Sequence, residues 1–129
     1  MDLKDFRFTK EHEWVKVDGD IAEIGISDYA QKELGDVVYV ELPAVGDSFG
    51  RGDACSNIES VKAVSDIYAP VSGEIVEVNV TLESKPEQIN LDPYGLGWIF
   101  KLKIEDPEEL NDLMSAEAYD EYLKGIMEE

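Results

Sequence analysis

The sequence contains few of the residues on which several classes of protein depend. Its 129 residues include one cysteine, one histidine and 11 basic side chains against 30 acidic ones, for a formal net charge of −19 at pH 7. One cysteine cannot form an internal disulfide, and one cysteine with one histidine cannot complete a zinc site. The negative charge opposes binding to nucleic acid, because a phosphate backbone would be repelled. No apolar run approaches the ~20 residues that a membrane-spanning helix requires.

The N-terminus also lacks the patterns of a targeting segment. Residues 1–6 show neither the charged-then-apolar order of a secretory signal nor the Arg- and Ser-rich, acid-poor composition of a transit peptide. We therefore expect a cytoplasmic protein, or a protein of the mitochondrial matrix if a presequence has been removed. We also expect a monomer without membrane partners, because a large net charge keeps like chains apart.

A catalytic centre finds little support in the sequence. Cys55 lies at an alternating position of a predicted strand and is interpreted as a small, half-buried apolar residue. A nucleophilic role would require a histidine close to it, and the single histidine, His12, is far away in the sequence. We therefore predict neither catalytic residues nor metal ligands.

Short strands separated by glycine and proline dominate the pattern. Ser27 and Gly35 enclose one short predicted helix, from Asp28 to Leu34. Many short strands of this kind favour a mostly β sandwich or barrel. Alternation of apolar and polar residues predicts strands over residues 14–17, 21–26, 37–42, 54–59, 63–68, 75–80 and 98–104.

The C-terminal part changes to a helical period. Asp106 followed by Pro107 is a typical helix start, and Ser115 is a typical cap for a second helix. We expect both helices to pack on the β core. The predicted apolar stripe of the second helix consists of Tyr119, Tyr122, Leu123, Ile126 and Met127.

Lys62 occupies the most informative position in the chain. It lies between the predicted strands 54–59 and 63–68, at the tip of a tight hairpin, so its amine would extend into solvent above a rigid backbone. A modifying enzyme needs that presentation to form an amide on one lysine and to ignore the others. An exposed lysine is ordinarily a solvated surface residue; the residues around this one distinguish it.

The sequence around Lys62 resembles that of a known family. The run Glu59-Ser60-Val61-Lys62-Ala63, with residues 65–79 after it, is similar to the lipoyl-lysine segment of the glycine cleavage system H protein family. Further blocks of that family, in the same order, are resembled by residues 12–15, 25–31 with 34–43, 90 with 93–95 and 97–98, and 115–119. Because the blocks cover nearly the whole chain, the resemblance is specific.

The resemblance implies a fold and a function. The fold would be mostly β, a lipoyl/biotinyl-type barrel-sandwich hybrid with a short internal helix and C-terminal helices. Residues 1–129 would form a single lipoyl-carrier domain, with a β core over 1–105 and C-terminal helices over 106–129. The protein would be a carrier and not an enzyme, with lipoate joined to Lys62 by an amide. Glu59, Val61 and Ala63 would be the hairpin positions that a lipoate ligase or transferase reads.

The same resemblance implies three partner enzymes. In the family, a glycine decarboxylase loads an aminomethyl group onto the lipoyl sulfur. An aminomethyltransferase then removes that group with release of ammonia, and dihydrolipoamide dehydrogenase reoxidises the dithiol.

Two carboxylates, Glu13 and Asp66, match positions that line the arm-binding cleft in the family. The aminomethyl group carries a protonated amine, which a carboxylate can hold by a charge-assisted hydrogen bond while an apolar wall excludes water. Asp66 has a second interpretation, as a surface charge that the ligase reads. Glu11 replaces the small polar residue or threonine that is commoner in the family, so the exact cleft contacts remain open.

Other carriers share a lysine hairpin. An H-like lipoate carrier of a protein lipoylation relay or of sulfur oxidation would have the same lysine and different partners. A lipoyl or biotinyl domain of a larger enzyme is a further alternative. Biotinyl domains usually have methionine on both sides of the lysine, where this chain has Val61 and Ala63.

Overall fold

Two antiparallel β-sheets form the body of the protein in the computed structural model, which describes residues 3–127. The first two and last two residues of the predicted domain 1–129, and the side chain of Met127 from the predicted stripe, lie outside the described part. The strands in chain order are β1 (Phe6–Phe8), β2 (Glu13–Asp18), β3 (Ile21–Ile26), β4 (Val37–Glu41), β5 (Ser48–Phe49), β6 (Ala54–Ser60), β7 (Val64–Tyr68), β8 (Gly73–Val78), β9 (Phe100–Ile104) and β10 (Met114–Ser115).

The two sheets confirm the mostly β fold class. The larger sheet has the strand order β10-β1-β2-β3-β9-β8-β5, and the smaller one has the order β4-β6-β7. Over the described residues the sheets form a sandwich and do not close into a barrel. Fully buried apolar side chains from both sheets meet in one core, among them Ile24, Ile58, Ile75 and Phe100. Such burial is the main favourable contribution to folding.

Helix α1 (Asp28–Leu34) has the boundaries that the sequence predicted. The Ser27 hydroxyl accepts a hydrogen bond from the N–H of Ala30 at the helix start. Gly35 ends the helix with φ of 78°, a left-handed value that glycine adopts without strain, and its N–H donates to the carbonyl of Gln31.

Several short strands and helices were not predicted from the sequence. Strands β1, β5 and β10 have two or three residues each, and the one-turn helices α2 (Thr81–Ser84) and α3 (Gln88–Leu91) begin without a side-chain cap. Such elements carry too few residues to show a period. The helix predicted after Asp106 is a 3₁₀-helix, Pro107–Asp112, and the predicted strand residue Val80 lies after the end of β8.

The last helix, α4 (Ala116–Met127), packs on an aromatic cluster beside the larger sheet. The Ser115 hydroxyl accepts a hydrogen bond from the N–H of Ala118, as expected of a helix cap. Tyr119 is buried and stacks on Phe8, with 4.4 Å between the ring centroids. Tyr122 and Leu123 are half-buried against the same cluster. Strand β10 pairs with β1, so the C-terminal segment also extends the sheet.

Candidate functional site

Lys62 lies at the tip of the hairpin that joins β6 to β7. The two strands pair in register up to Glu59 opposite Val64, and the N–H of Ser60 donates to the carbonyl of Ala63 over 2.8 Å. Val61 and Lys62 are therefore the two residues of the turn. The structure thus places Lys62 where the sequence predicted it.

Ser60 fixes the conformation of this turn. Two-residue hairpins usually need left-handed dihedrals, yet among the described residues His12 is the only non-glycine with a positive φ. The Ser60 hydroxyl compensates by accepting hydrogen bonds from the N–H groups of Lys62 (3.3 Å) and Ala63 (3.1 Å). No role for Ser60 was predicted from the sequence, although serine before a turn is a known signal for such bonds.

The tip also rests on the loop that follows α1. The N–H of Val61 donates to the carbonyl of Asp36 over 3.0 Å. The aliphatic stem of Lys62 passes so close over Gly35 that a Cβ added to this glycine would lie 3.3 Å from Lys62 Cε. Within residues 3–127 the ion pairs are formed by other lysines and arginines, and the exposed ammonium of Lys62 has no carboxylate at salt-bridge distance.

The hairpin residues expected to be read by a ligase all face solvent. Glu59 and Ala63 are exposed, and Val61 retains 68% of its accessible surface. An exposed valine at a turn gains little from folding, so its side chain is free to contact a partner. The three side chains therefore surround Lys62 as an accessible set.

Glu13 differs from these residues because it is buried. It is 1% exposed at the start of β2. Its Oε1 accepts a hydrogen bond from the Thr9 hydroxyl over 2.5 Å, and its Oε2 accepts one from the N–H of Tyr68 over 3.2 Å. Desolvation raises the pKa of Glu13 to about 7, although the hydrogen bonds from Thr9 and Tyr68 oppose the shift.

Glu13 is one of the residues that line a cavity of about 260 Å³. Glu11 lies in the wall of the same cavity, and its negative charge contributes to the raised pKa of Glu13. The lining combines apolar side chains with charged ones, a composition typical of ligand sites. The apolar residues include Phe8, Ala69, Pro70, Leu113 and Met114, and the charged ones also include Lys10, Arg51 and Asp112.

Asp66 lies elsewhere. It is exposed on β7, opposite Asn57 of β6, and borders a separate depression of about 400 Å³ together with Glu41 and Asp47. Ile67, the next residue, points into the core, as alternation along a strand requires. The structure therefore does not bring Asp66 and Glu13 into one cavity, and a shared cleft remains a prediction.

Cys55 and His12 do not form a nucleophile–base pair. Cys55 is buried, its thiol donates to the carbonyl of Ile67, and burial raises its pKa to about 12. The ring of His12 instead bonds the Tyr119 hydroxyl over 2.8 Å, and burial lowers its pKa. For the residues that the structure describes, no cluster of His, Cys, Asp and Glu suits a metal ion. No helix in this range is long and apolar enough to cross a membrane.

A β-sandwich that presents one lysine on a hairpin tip defines the class of lysine-modified carrier domains. The family model described as "Glycine cleavage H-protein" matches residues 6–126. The chain therefore belongs to the glycine cleavage H-protein family, which confirms the resemblance seen in the sequence.

Individual relatives agree over nearly their full length. The chain is 58% identical over 126 residues to a glycine cleavage system H protein of Thermus thermophilus, covering 97% of this chain and 98% of the relative. It is 55% identical over 119 residues to that of Halothermothrix orenii, covering 92% and 93% respectively. The crystal structure of a glycine cleavage system H protein from Mycobacterium marinum matches with a TM-score of 0.86 at 37% identity, over 94% of this chain and 98% of that chain.

Proposed function

We propose that this chain is the lipoyl carrier of a glycine cleavage system, with lipoate attached to Lys62 by an amide. The observation that carries the proposal is the exposed Lys62 at the tip of a hairpin, in a chain of this family. The relatives named above are all glycine cleavage proteins, which favours this role over an H-like carrier of lipoylation relay or sulfur oxidation.

The surroundings of Lys62 suit an acylated lysine. Its amine is accessible, and its stem lies against Gly35, so a modifying enzyme would meet it in a defined direction. When bound, lipoate would supply the sulfur that carries a one-carbon amine between active sites. The protein itself would tether, orient and shield, since the chemistry belongs to the cofactor and to the partner enzymes.

We infer the partners from the family. They are glycine decarboxylase, the aminomethyltransferase, dihydrolipoamide dehydrogenase and a lipoate ligase or transferase. Cys55 bonds the carbonyl of Ile67 and His12 bonds the Tyr119 hydroxyl, so these two residues do not act as a nucleophile and its base. The single-domain limits, the monomeric state and the cytoplasmic location stay predictions from the sequence.

Glu13 is the residue best placed to hold the cargo. It lines a cavity together with apolar side chains, and there its carboxyl would accept a hydrogen bond from an ammonium while water is excluded. Its hydrogen bond from Tyr68 links it to the far end of β7, whose other end begins beside Lys62. The distance between Lys62 and Tyr68 is at most about 20 Å along an extended strand.

Mass spectrometry tests the attachment. After incubation of the intact protein with a lipoate ligase, lipoate and ATP, we expect one lipoyl amide on Lys62 and none on Lys85 or Lys101. Lys85→Arg is the matched control, because it removes an exposed lysine far from the hairpin in sequence and should leave the yield unchanged. Modification elsewhere would contradict the proposal, and a biotin adduct would favour a biotinyl domain.

Glycine-dependent CO₂ exchange tests the pathway. Lipoylated protein combined with a glycine decarboxylase should support exchange of labelled CO₂ into glycine, and Lys62→Arg protein should not. Efficient lipoylation without any exchange would favour the H-like carrier, since such a carrier has the same lysine and other partners.

Release of ammonia tests whether Glu13 protects the aminomethyl group from loss. We expect the purified, loaded Glu13→Gln protein to lose ammonia about tenfold faster than wild type without folate or transferase, because a charge-assisted bond is worth ~1.5–3 kcal/mol. Asp66→Asn is the comparison that tests the second predicted carboxylate, and a smaller effect is expected because Asp66 lines another depression. Decay at the wild-type rate in both variants and in the double variant would contradict shielding by carboxylates.

A further inference from the structure

The loop from Gly35 to Val37 receives the tip of the Lys62 hairpin. The carbonyl of Asp36 accepts a hydrogen bond from Val61, and the stem of Lys62 crosses Gly35. The orientation of Lys62 therefore depends on what fixes this loop.

The side-chain amide of Asn90 bonds to the loop on both sides of Asp36. Its Nδ2 donates to the carbonyl of Gly35, and its Oδ1 accepts from the N–H of Val37, each over 2.9 Å. The Asp36 carbonyl, which accepts from Val61, lies in the chain between the two main-chain groups that Asn90 binds.

Asn90 is itself held in place. It is half-buried in α3, next to the fully buried Ile89. Its Nδ2 also donates to Gln31 Oε1 over 3.0 Å, and Gln31 Nε2 donates to Asp28 Oδ1 over 2.8 Å. Two polar side chains of α1 therefore connect to Asn90, which ties the end of that helix and the loop to α3.

We propose that Asn90 is a positioning residue for modification of Lys62, acting through the Gly35–Val37 loop on which the hairpin tip rests. This inference rests on the proposed function. Exposed chain segments open locally at little cost in free energy. Without Asn90 two main-chain groups of the loop lose their partner, and the tip loses a fixed support.

Amide hydrogen exchange of Val61 tests the positioning directly. In Asn90→Ala the Val61 N–H should exchange at least about tenfold faster, which corresponds to ~1.4 kcal/mol, because its acceptor is on the released loop. The matched control is Asn79→Ala, which also removes an amide bound to two carbonyls, those of Leu96 (2.9 Å) and Trp98 (2.7 Å). That variant should leave the exchange of Val61 unchanged.

Lipoylation kinetics test whether the ligase depends on the position of the hairpin tip. The assay contains a lipoate ligase, lipoate and ATP. Asn90→Ala should raise the KM for the carrier about threefold or more and leave kcat unchanged. The reason is that the ligase would bind only those molecules whose hairpin tip rests on the Gly35–Val37 loop. Asn79→Ala should change neither constant. If Asn90→Ala does not fold, Asn90→Asp keeps the acceptor for Val37 and loses the donor to Gly35.

Three results would overturn the inference. These are unchanged exchange of Val61 in the Asn90 variant, an unchanged KM despite faster exchange, or the same changes in Asn79→Ala. Failure of the proposed function is distinguishable, since wild-type protein would then remain unmodified at Lys62 while the exchange of Val61 still reports on Asn90.

Discussion

The two ends of strand β7 differ in almost every physical respect. At the start, Val64 and the adjoining tip residues are exposed, and Lys62 extends into solvent. At the other end, the N–H of Tyr68 donates to Glu13, a carboxyl 1% exposed beside a cavity. An exposed end can change its chemistry with little effect on stability, whereas a buried carboxyl couples function to folding. The two ends of β7 therefore contrast an accessible lysine, suited to modification, with a buried carboxyl that shapes its surroundings.

Lys62→Arg should show the largest effect at the exposed end. We expect complete loss of lipoylation, because a guanidinium does not form the amide, with a free energy of unfolding within about 0.5 kcal/mol of wild type. Ligase assays and denaturant melts measure the two quantities. A large destabilisation would remove the contrast between the ends of β7.

Glu13→Gln should reveal the pH dependence of the buried end. The pKa of Glu13 is raised from its ordinary 4.5 to about 7, so the folded state holds a proton that the unfolded state loses. This contribution to stability is fully present below pH 4.5 and disappears as the pH rises through 7. Relative to Glu13→Gln, wild type should lose up to roughly 3 kcal/mol across that window.

Glu13→Gln is the reference for wild type, because the many other carboxylates titrate in both proteins and cancel in the difference. Denaturant melts at a series of pH values between 4 and 8 give the difference. A difference that stays constant with pH would show that Glu13 titrates with the same pKa in the folded and unfolded states, as an exposed carboxylate would.

Ser60→Ala should have an intermediate effect at the tip. The change removes the hydroxyl that accepts from Lys62 and Ala63. A loss of about 1 kcal/mol is expected. Ser84→Ala is a suitable control because its hydroxyl forms one local bond to Thr81 on an exposed helix. Equal melting curves for wild type and Ser60→Ala would show that the turn holds without the hydroxyl.

Asp66→Asn should have the smallest effect. Asp66 is exposed on the outer face of β7, and the substitution preserves its size, so the free energy of unfolding should change by less than about 0.5 kcal/mol. Thermal melting measures the change. A markedly slower lipoylation at unchanged stability would instead identify Asp66 as a charge that the ligase reads.

Features set by neighbouring residues were predictable from the sequence. The hairpin tip and helix α1 follow from local rules, since the strand pattern, the Ser27 cap and the left-handed Gly35 are each encoded within a few residues. The family resemblance identified Lys62 as the expected attachment residue. The hairpin, helix α1 and the position of Lys62 could therefore be predicted from the sequence.

Features set by distant residues were not predictable. Strand β1 pairs with β10 from the far end of the chain, and two- or three-residue strands form only because such partners exist. The burial of Glu13 depends on Tyr68, and the loop bonds of Asn90 depend on α3 lying beside α1. The spacing of Glu13 and Asp66 in the sequence does not show whether they share a surface. Their separation into two cavities was therefore visible only in the three-dimensional structure.

The glycine beneath Lys62 has a consequence for engineering. Replacing glycine by alanine often stabilises a protein by restricting the unfolded chain, provided that the backbone angle suits alanine. At Gly35 the positive φ would strain any side chain, and a methyl group would lie 3.3 Å from Lys62 Cε. A stabilising library should therefore leave this position unchanged, since a substitution there would disturb both the backbone and the direction of the lysine.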